Sequence, residues 1–125
     1  MNSDLKITPE QTQADVPVMV LHLRGWLDAQ CEELLLEAAR VAYDGGARYL
    51  LLNMNDLDTL TSAGMRAIQK VYQMYTPKED RFKVAHLKLC NAPPQIYNVL
   101  GITGFLQNIP MYESQDAALE TFGKE

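Results

Sequence analysis

An apolar run, Tyr49-Leu50-Leu51-Leu52, leads through an acidic connection from Asn53 to Asp58 into Thr61-Ser62-Ala63-Gly64. That tetrapeptide opens a stretch with helical spacing at Met65, Ile68, Tyr72 and Tyr75. So apolar a run suits a central strand covered by helices on at least one face. Strand, short loop and helix in that order restrict the chain to architectures in which helices pack on a mostly parallel sheet. The hydroxyl at the helix start has two readings. It can cap the free backbone N–H groups of the first turn. It can also carry a phosphate, which would meet those same N–H groups and the positive end of the helix dipole.

The rest of the chain repeats the pattern. Leu5 to Thr8 reads as a short edge strand ended by Pro9, and Glu10 to Asp15 as a polar turn or loop. Val18 to Arg24 alternates, with Met19, Leu21 and Leu23 on one side and Val18, Val20, His22 and Arg24 on the other, and Gly25 breaks it. Asp28 is a natural N-cap for a helix over Ala29 to Tyr43, whose apolar stripe is Cys31, Leu34, Leu35, Ala38, Val41 and Ala42. Asp44-Gly45-Gly46 ends that helix, and Ala47 to Asn53 is the central strand. The helix from Ser62 stops near Tyr75, before Pro77. Lys78 to Lys83 is a charged loop, and Val84 to Leu89 alternates as a strand with His86 and Lys88 on its polar side. Pro93-Pro94 begins a helix with Ile96, Val99 and Leu100 on its apolar side; Asn108 to Tyr112 is a short strand; Ser114 caps a last helix running to Phe122. The expected fold is therefore α/β, a mixed, mostly parallel sheet of about five strands with helices mainly on one face and the other face partly open. No repeat, low-complexity tract or linker divides the chain, so residues 1–125 read as a single domain.

Composition narrows the function classes. The net charge is −5 and no Lys/Arg cluster stands out, which argues against nucleic acid and anionic membranes as partners and suits a basic protein surface. No run approaches the roughly 20 apolar residues that span a bilayer, and the N-terminus lacks the basic-then-apolar order of a signal peptide, so the expected location is cytoplasmic. Cys31 and Cys90 lie far apart without Cys-x-x-Cys spacing and read as reduced, buried residues.

Several side chains could carry chemistry. Asp28, at a strand-to-helix junction, is a cap or a surface carboxylate at the same end of the sheet as Ser62, the edge where open α/β sheets place their sites. Asp56 and Asp58 read as solvated loop charges, since Mg²⁺ sites need further oxygen ligands. His22 and His86 are placed facing each other on the exposed side of the sheet, but two histidines without a third ligand do not form a zinc site, so no metal is expected. Ser62 has no Gly-x-Ser-x-Gly context, and no phosphate-binding Gly-rich loop exists; neither an enzyme nor a cofactor is expected.

Taken together, Gly25-Trp26-Leu27-Asp28, the strand Tyr49 to Asn53, Leu60-Thr61-Ser62-Ala63-Gly64-Met65, Leu100-Gly101-Ile102-Thr103-Gly104-Phe105 and Ser114 to Leu119 resemble the STAS domain family in its free-standing bacterial form. The resemblance covers nearly the whole chain. It implies an anti-sigma factor antagonist that binds an anti-sigma factor serine kinase, is phosphorylated by it on a serine corresponding to Ser62, and is reset by a metal-dependent serine phosphatase. The nucleotide would belong to the kinase. Asp28, Thr61, Ser62, Ala63, Gly64 and Met65 would form the partner-binding surface, with a dimer as one admissible state. Thr61 stands where the family motif usually has aspartate, and Ala63 replaces its second hydroxyl residue; Thr61 thereby becomes a second acceptor hydroxyl. Some relatives are scaffolds or signal-receiving modules that are never phosphorylated, and that alternative stays open.

Overall fold

The computed structural model describes residues 5–81, 83–102, 104 and 109–124. Among them, five strands form one sheet in the order β1-β2-β3-β4-β5. The strands are β1 (Leu5–Gln13), β2 (Pro17–Leu27), β3 (Leu50–Leu60), β4 (Leu87–Cys90) and β5 (Met111–Tyr112). Only the β1–β2 pair is antiparallel; every other neighbouring pair is parallel. The helices are α1 (Glu32–Asp44), α2 (Ser62–Tyr75), α3 (Pro94–Ile102) and α4 (Gln115–Leu119), with short 3₁₀ turns at Ala29–Cys31 and Lys78–Asp80. The mixed α/β architecture expected from periodicity is the one observed.

α1, α2 and α3 cover one face of the sheet. Leu35 and Ala39 of α1, Ile68 and Val71 of α2, and Ile96 and Leu100 of α3 pack in one buried cluster with Leu21, Leu23, Leu50, Leu52, Leu87 and Leu89 from the strands. The Tyr75 hydroxyl donates to the Ala39 carbonyl at 2.8 Å, joining α2 to α1 inside the core. Burial pushes that phenol up to about 12.

The opposite face differs from expectation. It is not simply open: Ala118 of α4 and Phe122 close over Val18, Val20, Leu51 and Cys90 in a second buried cluster. Lys88 lies within this layer fully buried, its Nζ donating to Thr121 Oγ1 at 2.7 Å and standing 4.4 Å from the centre of the Phe122 ring. Strand alternation placed Lys88 on the right face; the C-terminal segment then covered it.

Five local readings are corrected by strand pairing and helix packing that a single sequence does not display. β1 runs through Pro9 to Gln13, so Glu10 to Gln13 are strand rather than loop, and Pro9 sits opposite Leu21. A proline is tolerated there because β1 is an edge strand. β2 continues past Gly25 (φ 103°), with register shifts at His22/Arg24 and Gly25/Trp26 that mark a bulge. β3 likewise continues through Asn53 to Asp58, which are strand and not a connection, because β2 keeps pairing with it as far as Leu60. In α1 the buried residues are Leu35, Leu36 and Ala39, whereas Leu34 is 47% and Val41 61% exposed. Val99 of α3 is exposed as well. α1 ends where Gly46 takes a positive φ of 111°. Asn108, Thr103 and Phe105 lie outside the described residues.

Candidate functional site

The C-terminal ends of β2 and β3 each turn directly into helical structure, and the two junctions touch. At the first, Asp28 leaves β2 in an extended conformation and its Oδ1 accepts the Gln30 N–H at 3.1 Å, capping the 3₁₀ turn that precedes α1. At the second, Thr61 is the N-cap of α2: its Oγ1 accepts the Gly64 N–H at 3.2 Å, and its carbonyl accepts the Met65 N–H at 2.9 Å. The Thr61 N–H donates back to the Leu27 carbonyl at 3.1 Å, so the end of one junction is hydrogen-bonded to the start of the other.

Gly64 makes this contact possible. A Cβ at that position would lie 2.2 Å from the Leu27 carbonyl oxygen and 2.9 Å from Leu60 Cδ1. Only a residue without a side chain lets the first turn of α2 rest on the end of β2. Met65, the next residue, is half-buried against the main core.

Between the junctions lies an open hollow lined by Asp28, Ala29, Gln30, Thr61, Ser62, Ala63 and Arg66. Ser62 is the first residue of α2 and is exposed. Because Thr61 supplies the cap, the Ser62 hydroxyl is not needed for it. The two readings of the tetrapeptide thus fall on two different residues: the cap on Thr61, the accessible hydroxyl on Ser62. Asp28, Thr61 and Ala63 are half-buried, and Gly64 is buried beneath them.

Arg66 was not singled out by the sequence reading. It stands one turn beyond Ser62 on the same helix, exposed, in the wall of the hollow. An i, i+4 relation to a candidate phosphate acceptor was the available signal. Glu32 at the start of α1 pairs with Lys70 of α2, and this hydrogen bond holds the Glu32 carboxyl below its ordinary range against the opposing desolvation, with the Lys70 and Arg66 charges adding to it. The pair links the two helices that flank the hollow.

Other candidate residues do not converge on a site. His22 Nε2 donates to Glu10 Oε1 at 2.7 Å, which, with the Gln115 amide, lowers the Glu10 carboxyl from its ordinary range. His86 is buried rather than exposed: Nδ1 lies 3.0 Å from the Arg48 carbonyl, Nε2 3.0 Å from Asp80 Oδ2, and the ring stacks on Tyr49 at 4.7 Å. The two histidines therefore have separate partners and do not face each other, and Asp28 caps Gln30 instead of joining either. Asp56 and Asp58 are exposed on β3. Among the described residues no group of three or more His, Cys, Asp or Glu side chains is placed to hold a metal ion. Neither Cys31 nor Cys90 forms a disulfide, and both are buried; desolvation raises both thiols, Cys90 to about 12.

A serine at the first turn of a helix that follows a parallel strand, on a five-stranded sheet with an antiparallel edge, can be compared with known proteins. Residues 8–118 match the STAS domain family. The chain belongs to that family. A curated protein of Bordetella bronchiseptica, named "Putative anti-sigma factor antagonist BtrV", is 29% identical over 105 residues, covering 84% of this chain and 86% of the relative. The crystal structure of an anti-sigma factor antagonist from Mycobacterium paratuberculosis superposes with a TM-score of 0.79 at 18% identity, over 95% of this chain and 94% of that one. SpoIIAA in its unphosphorylated form superposes with a TM-score of 0.69 at 17% identity, over 92% of this chain and 94% of that one. The Bacillus SpoIIAA in its phosphorylated form gives 0.64 at 18% identity, over 92% and 97%. At these identities the structural matches establish the fold. Among the described residues no helix is long and apolar enough to cross a membrane.

Proposed function

We propose that this STAS domain is an anti-sigma factor antagonist: a cytoplasmic regulatory module that sequesters an anti-sigma factor kinase and is gated by phosphorylation of Ser62. The observation that carries the proposal is the division of labour at the start of α2. Thr61 holds the cap, and Ser62 stands exposed at the next position in an open hollow. The name of the Bordetella relative supports the antagonist role, and the existence of a phosphorylated SpoIIAA supports the switch.

The partner kinase brings ATP. The Ser62 oxygen attacks the γ-phosphorus, the bond to the bridging oxygen breaks, ADP leaves, and the serine proton passes to a base on the kinase. The product carries about 1.5 to 2 negative charges at a helix N-terminus, where the dipole favours them and the fold persists. Arg66 lies within the same hollow to pair with the new charge. A partner surface docked over Asp28, Thr61, Ala63 and the exposed edge of Met65 meets those charges directly and is released. A metal-dependent serine phosphatase restores the hydroxyl by hydrolysis, giving inorganic phosphate. The chain itself performs no catalysis and needs no cofactor.

The test is to incubate the chain with its cognate anti-sigma factor kinase and ATP. The expected result is a mass increase of one phosphate, absent in Ser62→Ala and retained in Thr61→Ser. Ser62→Asp should bind the kinase at least about tenfold more weakly than wild type. Equal binding by Ser62→Asp and wild type overturns the gate. It would favour the second reading, a constitutive scaffold, which the Thr61 and Ala63 departures from the usual motif support.

A further inference from the structure

α1 carries more apolar surface than the core uses. Leu35, Leu36 and Ala39 are buried, yet Leu34, Ala38, Val41 and Ala42 form a second stripe at helical spacing beside them. This stripe walls a cleft of about 830 Å³ whose floor is the helix-side row of the β1–β2 hairpin, including Ile7, Pro9, Met19 and Leu21. β1 is the free edge of the sheet, so the cleft is open along that side. Its volume falls within the roughly 300–1,000 Å³ of small-molecule sites. From Leu34 to Gly45 the wall is roughly 16 Å long at the rise of an α-helix.

We propose that this cleft binds a single-chain amphiphile with an anionic head, of the medium-chain carboxylate class, lying along α1 above Ile7 and Met19. Its shape is elongated and its lining mostly apolar, which suits an extended hydrocarbon tail. Its charges select the head. Glu37 on the wall is neutralised by Arg40 at 2.6 Å. Lys6, at the end of the cleft near Leu5, has no ion-pair partner among the described residues. Alternation starts the Lys6 stem on the far side of β1, yet the residue lines the cleft, and a four-carbon stem is long enough to pass an uncovered edge strand. A protein partner is disfavoured by area. Only two large apolar side chains on this wall, Leu34 and Val41, are open to solvent, whereas a stable protein interface buries roughly 800 Å² on each side. The proposal is independent of the phosphorylation reading, since the cleft and the Ser62 hollow share no lining residue.

The experiment is calorimetric titration of the full chain with dodecanoate below its micelle concentration, with dodecyltrimethylammonium as the cationic control. Wild type should bind one dodecanoate per chain, and the cationic amphiphile about tenfold more weakly or not at all. Val41→Asp and Leu34→Asp, both at exposed positions where the fold tolerates a charge, should each lower dodecanoate affinity by about tenfold or more. Lys6→Glu should lower it severalfold. Absence of saturable binding, or affinity unchanged in both aspartate variants, overturns the site. Equal binding of the two amphiphiles, or no effect of Lys6→Glu, overturns the anionic head. A wild-type dimer that Val41→Asp dissociates in sedimentation shows a second copy in the cleft and overturns the proposal as well.

Discussion

α1 and α2 are nearly the same length, 13 and 14 residues, and both leave the C-terminal edge of the sheet to cover the same face. They use their apolar residues differently. α2 buries Ala67, Ile68, Val71 and Tyr75 along one stripe and exposes Arg66, Gln69, Lys70 and Gln73 on the other side. α1 buries a narrow stripe and turns a second one to the β1 cleft. α2 is therefore a helix whose apolar pattern is fully explained by the core, with its polar first turn available for recognition. α1 has apolar surface beyond what packing requires, and such surplus is where a binding surface is most reasonably sought.

The sharpest way to break this contrast is within α1. Leu35→Ala should lower unfolding free energy by roughly 2–5 kcal/mol, because it empties a fully buried position. Its neighbour Leu34→Ala should change it by less than about 0.5 kcal/mol. Equal losses in denaturant unfolding would mean the two leucines belong to one stripe after all. Next in size is Gly64→Ala, expected to cost roughly 1–3 kcal/mol because its methyl group meets the Leu27 carbonyl. At the end of α1, Gly45→Ala should shift stability by no more than about 0.5 kcal/mol, since its nearest contact would be an ordinary 3.4 Å.

Smaller again is the division between cap and acceptor. Thr61→Ala should lower stability by about 1 kcal/mol through loss of the bond from Gly64 N–H. Ser62→Ala should stay within about 0.5 kcal/mol. A reversal of that order in thermal unfolding would assign the cap to Ser62. The smallest effect concerns the bridge between the helices. The Glu32 carboxyl is held below its ordinary 4.5 in the folded chain, so the contribution of the Glu32–Lys70 pair is complete above pH 4.5 and fades as the pH falls through the lower folded value. Lys70→Met should flatten that part of the acid dependence of the unfolding midpoint and leave the midpoint near neutral pH almost unchanged.

Local signals carried much of the fold. α2 begins at Ser62 and ends at Tyr75 as its spacing and Pro77 indicate, and Asp28 and Ser114 cap the elements that follow them. These features depend on residues a few positions apart. What stayed hidden depends on distant partners. Gln11 and Thr12 look like loop until β2 pairs with them. Asn53 to Asp58 look like a connection because the bulge near Gly25 shifts the pairing of β2 with β3 and breaks the simple alternation. The stripe of α1 could not be placed because two adjacent apolar stripes give one broad periodic signal. Burial of Lys88 required Phe122 and Thr121 to fold back over it. At the candidate site the hydroxyls of Thr61 and Ser62 and the carboxylate of Asp28 are legible as types and positions, and Thr61 is legible as able to cap the helix; that the cap falls on Thr61 and leaves Ser62 exposed, and that Arg66 shares the hollow, depends on the geometry.

The Leu27 carbonyl oxygen receives the Thr61 amide and also forms the wall against which Gly64 is pressed. The two turns are thereby riveted backbone to backbone, with no side chain in the load path. Asp28 follows Leu27 and Ser62 follows Thr61, so the two candidate recognition residues are joined through main-chain atoms alone.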